Sequence, residues 1–482
     1  MTEPLLSCTG LSFRYGKKQD PVFRNLDLAV YPGETVLLMG PSGCGKSSLA
    51  YCLAGLYPSY TGVMEGEVTL LGRPLASYGA AERSGAVSVL FQNPDNQFCM
   101  DRAENEILFA LENINYQGDL SKRVDELLAL VGLEDVRSRP IHTLSGGTKQ
   151  KLALATALAT EAKLLILDEP FANLDPASCM RVAETLKELN RRGLTLLVVD
   201  HRPDHWRGFM SRVLILEKEG APLCIRPEEL DTRREEFAAR GLFTGDDWLN
   251  GVHPAEEKAD AKVSLKTEGL SVYHGKTPFL TGVDLTLKEG TVTAIVGENG
   301  AGKSTLLTAL AGAGKTKGTI EAAGRVGLVF QNPRFQFLTL TVEEEVTTTL
   351  KVLYPKETPD GLKQRAEAWL EEFQMLGYRK VSPYALSQGQ QRRLAMLAML
   401  AGDRPILLMD EPTYAQDERS TRFILELISR RVAAGLTAVI ATHDLALAKA
   451  TANQVLLMEA GRLTPLSPKA FDAYIAERRA CV

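Results

Sequence analysis

GPSGCGKSS at residues 40–48 and GENGAGKST at residues 297–305 are two copies of one pattern, each preceded by an apolar run, TVLLM at 35–39 and TVTAIV at 291–296. GxxxxGK[ST] between a buried strand and a helix-forming run is a phosphate-binding loop. Its glycines let backbone N–H groups curl around phosphate oxygens, and the following helix presents its positive N-terminus to them. The candidate phosphate-contacting residues are Gly40, Pro41, Ser42, Gly43, Cys44, Gly45, Lys46, Ser47 and Ser48 in the first copy. In the second they are Gly297, Glu298, Asn299, Gly300, Ala301, Gly302, Lys303, Ser304 and Thr305. Lys46 and Lys303 reach the β- and γ-phosphates, while Ser47 and Ser304 offer a hydroxyl to Mg2+.

The doubling runs along the chain. FQNPDNQ at 91–97 is answered by FQNPRFQ at 330–336, LSGGTKQK at 144–151 by LSQGQQRR at 386–393, LLILDEP at 164–170 by ILLMDEP at 406–412, and His201 by His443. From Ser145 and Ser387 onward the copies stay 242 residues apart, whereas the lysines are 257 apart and Gln92 and Gln331 are 239 apart. The second copy is therefore 18 residues shorter between these points. The stretch YPSYTGVMEGEVTLLGRPLASYG, much of which lacks a counterpart, reads as strands and turns, so a peripheral β-element is trimmed. Two domains follow, 1–226 and 262–482. Between them, 227–261 carries ten acidic and four basic residues, the composition of a solvated linker with a short helix, which Phe237 or Trp248 would instead dock on a domain.

A length of 482 residues excludes one small module, and 45% hydrophobic with 24% charged residues excludes a disordered or collagen-like chain. A net charge of −5 does not attract a polyanion globally, so nucleic acid is not indicated. Seven cysteines, irregularly spaced and without a CxxC, suggest neither a disulfide framework nor a zinc site and fit a reducing cytosol. No apolar run approaches the roughly 18–20 residues of a membrane helix, and MTEPLLSCTG lacks a signal-peptide pattern. The chain is expected neither to be secreted nor to span a membrane by itself.

LLILD and ILLMD are apolar runs closed by an acid, as expected for a parallel strand buried on both faces with its carboxylate at the carboxyl end. Asp168 and Asp410 are the expected Mg2+-binding carboxylates. Glu169 and Glu411, the next residues, are placed to activate an attacking water. Ser145-Gly146-Gly147 and Ser387-Gln388-Gly389 open probable helices and form a second anion-binding surface, useful to nucleotide bound by the other copy.

With these motifs each present twice, the sequence resembles the ATP-binding-cassette (ABC) family across both halves. The resemblance implies tandem α/β P-loop cassettes, each a parallel-sheet core with a peripheral antiparallel β-element and a helical subdomain, about 100–140 and 340–384. It implies two ATP molecules, one between Lys46 and Ser387-Gln388-Gly389, the other between Lys303 and Ser145-Gly146-Gly147. Gln92 and Gln331 would sense the γ-phosphate, contact Mg2+ and couple to a partner; His201 and His443 would brace phosphate and water. Asp175 and Asp417 match the contact loop between sites. Tyr15 in LSFRYG stands where the family stacks an aromatic on adenine, whereas LSVYHG puts His274 there, with Tyr273 one residue earlier. Gln388 replaces a glycine and AQD at 415–417 replaces NLD at 173–175, but no essential charge or base is lost, so two competent sites with unequal rates are expected.

FQNPDNQ, FQNPRFQ with VEEEV downstream, and DHRPD around His201 resemble the ATPases of energy-coupling-factor importers of vitamins or transition-metal ions. That resemblance implies a transmembrane coupling subunit, a separate substrate-binding membrane subunit and a peripheral location on the cytoplasmic membrane face. Asp95 would meet an arginine of the partner, a role that Arg334 breaks in the second copy. Fused cassettes of sugar importers would have a degenerate second site, against which Lys303 and Glu411 argue. Tandem cassettes acting on ribosomes have a longer charged helical linker and basic surfaces. An exporter motor uses the same chemistry. Cys44, beside a lysine at a helix N-terminus, is either a reactive thiol whose alkylation blocks ATP or an inert small residue. His142, His205 and His253 lack ligand-like spacing.

Overall fold

The apolar runs that precede each phosphate loop and each acid become the middle of a sheet. A computed structural model describes the chain except for residues 1–2, 18, 42, 60, 172–173, 218–220, 243–248, 250, 259, 299, 403, 414–417 and 481–482, with Pro176, His274, Gln388, Arg479 and Ala480 described by their backbone only. It separates into two compact units, Met1–Gly245 and Asp246–Val482.

In the first unit a six-stranded sheet runs in the order Val87–Leu90, Leu164–Asp168, Thr195–Val199, Thr35–Met39, Arg212–Ile215, Leu223–Ile225. Five strands are parallel and the last is antiparallel to its neighbour. Thr35–Met39, Leu164–Asp168 and Thr195–Val199 are buried at every residue, as strands covered on both faces must be. Alternation along each strand feeds two cores: Leu37 and Met39 pack with the helices, while Val36 and Leu38 pack beneath an antiparallel sheet. That second sheet has the order Phe23–Val30, Leu6–Arg14, Val63–Leu70, Arg73–Pro74. Helices Ala103–Asn113 and Leu120–Leu130 form the insert, followed by Gly146–Ala159.

The second unit repeats the order: Val326–Val329, Ile406–Asp410, Thr437–Thr442, Val292–Val296, Gln454–Glu459, Arg462–Leu466. Its antiparallel sheet has three strands, Thr277–Lys288, Val263–His274 and Lys315–Ala322. The trimming falls mostly after the third of these. Gly66 (φ +89°) and Gly318 (φ +93°) mark one position, because a Cβ on either would lie 2.5 or 2.6 Å from the carbonyl oxygen of Gly10 or Gly269. These glycines are 252 residues apart, so strand Val63–Leu70 survives as Lys315–Ala322, and most of the loss removes Arg73–Pro74 and the short helix Ala80–Ser84.

The acidic segment is not a solvated linker throughout. Helices Glu229–Thr232 and Arg234–Ala239 place Leu230 and Phe237, seven residues apart, on one face, and both join Leu242 in the core of the first unit. Phe237 is 0% exposed beneath the Arg233 guanidinium, 5.1 Å from its ring centroid. Trp248 lies outside the described residues. Further on, Asn453 Nδ2 donates to Ala255 O at 2.6 Å and Lys288 pairs with Glu257 at 2.5 Å, fastening this stretch to the second unit.

Candidate active sites

In each unit the phosphate loop joins a central parallel strand to an eight-residue helix, Lys46–Leu53 or Lys303–Leu310. The N-caps, Gly45 (φ 100°) and Gly302 (φ 112°), are left-handed and offer no side-chain hydrogen bond, and no acid lies in the first turn. The initial N–H groups and positive helix end are thus available to an anion. A Cβ on Gly43 or Gly300, both left-handed, would meet nothing within 4 Å, so the loop opens over its glycines. The buried Lys46 Nζ donates to Gly40 O and Pro41 O at 2.7 and 3.1 Å; Lys303 Nζ donates to Gly297 O and Glu298 O at 2.7 and 3.0 Å. An ammonium curled against its own loop is poised for phosphate oxygens. Ser42 and Asn299 lie outside the described residues.

The acids stand beside the loop. Ser47 Oγ donates to Asp168 Oδ1 at 3.0 Å and Tyr51 OH to Asp168 Oδ2 at 2.8 Å. Burial and the Glu169 charge push Asp168 up to about 6, against the hydrogen bonds of Tyr51 and Ser47. In the second unit burial likewise raises Asp410, opposed by a hydrogen bond from Ser304. Two adjacent buried acids beside a hydroxyl form a hard oxygen set whose electrostatic stress a divalent cation relieves, so these residues fit Mg2+.

Glu169 and Glu411 both have φ of 49°, rare for a side-chain-bearing residue, and their N–H groups donate to Val199 O and Ala441 O at 2.8 and 2.9 Å. His201 Nε2 lies 3.2 Å from Glu169 Oε1, and His443 Nδ1 lies 2.7 Å from Glu411 Oε1. Burial alone would raise both glutamates; the histidines, with Gln92 and Lys46 at one and Lys303 and Thr442 at the other, hold both below the usual carboxylate range. Each is therefore an ionised acceptor able to take a proton from water. Burial would lower His443, but the Glu411 charge and hydrogen bond raise it.

Ser145 and Ser387 are exposed N-caps of Gly146–Ala159 and Gln388–Leu400, accepting from Thr148 N and Gln390 N at 3.2 and 3.4 Å. Tyr15 is half exposed, its OH 2.7 Å from Ser48 Oγ, which sets the ring beside the phosphate-loop helix. Tyr273 has Lys317 Nζ 5.5 Å from its ring centroid. The side chains of His274 and Gln388, and all of Asp417, are outside the described residues. Asp175 caps Pro176–Arg191 through Ser178 N at 2.9 Å.

The ABC transporter family matches residues 23–172 and 280–414. The chain belongs to this family. A Bacillus subtilis (strain 168) relative, YkoD, named provisionally as an HMP/thiamine import ATP-binding protein, is 35% identical, covering 95% of this chain and 90% of that one. A Bacillus anthracis relative, named provisionally as an ABC transporter ATP-binding protein, is 32% identical over 96% of this chain and 90% of its own. Among solved structures, an archaeal ribosome recycling factor, aABCE1, in complex with the stalk protein aP1, superposes with TM-score 0.64 at 21% identity, covering 97% of this chain and 92% of that chain, a likeness of fold. The chain is a tandem-cassette ABC ATPase, and its family binds ATP with Mg2+.

Several residues of this ABC ATPase that shape the sites escape the sequence motifs. Tyr51, which holds Asp168, has Thr308 as its counterpart, bonded instead to Ser304 O at 2.8 Å. Glu106 Oε2 accepts from Cys99 N and Met100 N at 2.9 and 2.8 Å, and Glu345 Oε2 accepts from Leu338 N and Thr339 N at 3.0 and 3.1 Å. These acids, 239 residues apart like the glutamines, anchor the loop after Gln92 or Gln331. Gln97 Nε2 and Gln336 Nε2 tie that loop to Ala153 O and Ala395 O at 3.0 and 2.8 Å. Asp95 is already paired with Lys149 at 2.6 Å, so it does not wait unpaired for a partner's arginine; in the second unit Arg334 Nε faces Gln391 Oε1 at 3.4 Å. Cys44 is buried, 2% exposed, within the apolar core beneath the antiparallel sheet, which favours the inert reading of its thiol.

Proposed function

We propose that this chain is the ATP-hydrolysing motor of a membrane importer of the energy-coupling-factor type, with a vitamin or a transition-metal ion as cargo. The observation carrying this reading is an apolar surface on the loop after Gln331. Phe335, Leu338 and Leu340 are 77%, 84% and 81% exposed within six residues, far more apolar surface than a lone solvated loop retains. Their counterparts in the first unit, 239 residues earlier, are the exposed Asn96, Cys99 and Asp101. One coupling face is apolar and the other polar, which suits two unlike contacts on a transmembrane partner. Among the described residues no helix is long and apolar enough to cross a membrane, so such a partner would supply the pathway and a further membrane subunit the cargo site. The likeness to YkoD, named provisionally as an import ATP-binding protein, supports import, and in this reading the chain attaches peripherally at the cytoplasmic membrane face.

In this reading Lys46 and Lys303 leave their loop carbonyls for the phosphates of ATP, and the uncapped helix ends take the remaining oxygens. Ser47, Asp168 and Gln92, or Ser304, Asp410 and Gln331, would hold Mg2+, which neutralises charge developing between the β- and γ-phosphates. Glu169 and Glu411 accept the proton of the attacking water, and His201 and His443 hold them and the γ-phosphate. Tyr15 lies along the nucleotide in the first site. Ser145-Gly146-Gly147 and Ser387-Gln388-Gly389 close over the nucleotide of the opposite cassette.

Replacing Phe335→Asp and Leu338→Asp together tests the coupling face. The expected result is retained basal ATP hydrolysis with loss of co-purification from detergent-solubilised membranes. Undiminished membrane recovery of the variant, or sedimentation of the parent protein with ribosomes instead of membranes, overturns the proposal.

A further inference from the structure

The two hydrolytic sites diverge at the residue before the histidine. Asp200 follows strand Thr195–Val199 in the first unit, and Thr442 ends strand Thr437–Thr442 at the equivalent place in the second, each 242 residues apart like the histidines. Thr442 is fully buried, and its hydroxyl accepts the Asp444 N–H at 3.0 Å. Its single proton is thereby directed at Glu411 Oε2, 3.0 Å away. The other oxygen, Oε1, accepts from His443 N at 3.0 Å and meets His443 Nδ1 at 2.7 Å. Both carboxylate oxygens are thus held by consecutive residues at the end of one strand.

Asp200 does not reproduce this clamp, because its two oxygens are turned to other donors. Its oxygens are taken by Trp206 Nε1 at 2.9 Å and Arg202 N at 3.1 Å. Glu169 is left to His201 and the Gln92 side chain.

We propose that Thr442 is a positioning residue of the second site, its hydroxyl fixing the Glu411 carboxylate in one orientation, a restraint that the first site lacks because Asp200 stands there. This rests on Glu411 being the base for water. A base whose two oxygens are tied keeps its free lone pairs aimed in one direction, and a fixed orientation at the reacting atoms is worth rate and not affinity.

Turnover by the second site is isolated in the full-length chain by Glu169→Gln. In that background Thr442→Val, matched in shape but without the hydroxyl, is expected to lower kcat about tenfold or more, as removal of one hydrogen bond to a charged group does. KM for ATP should stay within about twofold, and Thr442→Ser should restore kcat to within about twofold of the background. Should the valine variant not fold, Thr442→Ser against Thr442→Ala, which differ only in the hydroxyl, gives the same comparison. Unchanged kcat without the hydroxyl, or a serine variant as slow as the alanine one, overturns the proposal. Failure of the underlying reading shows separately, as hydrolysis persisting in Glu169→Gln with Glu411→Gln.

Discussion

Glu169 and Glu411 combine three properties that seldom coincide in a structural acid: burial, a left-handed backbone and a histidine within hydrogen-bonding distance. A buried carboxylate kept ionised by its neighbours stores the electrostatic stress that a reaction uses. Glutamine at either position keeps shape and hydrogen bonding but is no base. Each single variant, Glu169→Gln or Glu411→Gln, is therefore expected to lower steady-state ATP turnover while nucleotide binding persists, and the double variant to lower it by at least about a hundredfold, within the range of a lost general base. Phosphate release by purified protein checks this; a single change without effect would mean that its site does not hydrolyse. The glutamates were legible from DEP repeated after an apolar run. Tyr51 was not, because its contact with Asp168 spans 117 residues and only the folded helix brings the two together.

At the scale of elements, the strands were legible because each apolar run is continuous and ends in a chemically distinct residue, so Leu164–Asp168 and Ile406–Asp410 follow directly from LLILD and ILLMD. The helices of the acidic segment were not. Leu230 and Phe237 are sparse among charges, and composition outweighs a single seven-residue spacing until a core is there to receive them. Trp206 and Phe237 are both fully buried in that core, so the segment stabilises the first unit. Phe237→Ala is expected to destabilise the first unit by about 3–5 kcal/mol, the cost of a buried aromatic reduced to a methyl. Denaturant unfolding of the full chain measures it; a loss under about 1 kcal/mol would show the helix to be a loosely attached linker after all.

For the whole molecule the central matter is which signature serine serves which phosphate loop. Ser145 and Ser387 are exposed, and each caps a helix of thirteen or fourteen residues whose N-terminus attracts an anion. If the cassettes exchange these helix ends, the ATP at Lys303 is covered by Ser145 and the ATP at Lys46 by Ser387. A glutamate at either serine is compatible with the helix dipole, so the fold tolerates it, yet it confronts a triphosphate with like charge. In Glu169→Gln, where only the Lys303 site hydrolyses, Ser145→Glu is expected to reduce turnover more than about tenfold, since like charges about 4 Å apart repel by roughly 4 kcal/mol at an effective dielectric near 20. Ser387→Glu in the same background should leave that turnover within a few-fold, and in Glu411→Gln the two outcomes should reverse. Loss following the serine of the hydrolysing cassette itself would mean that each lobe closes its own site, and the tandem arrangement would then add capacity without joining the two reactions.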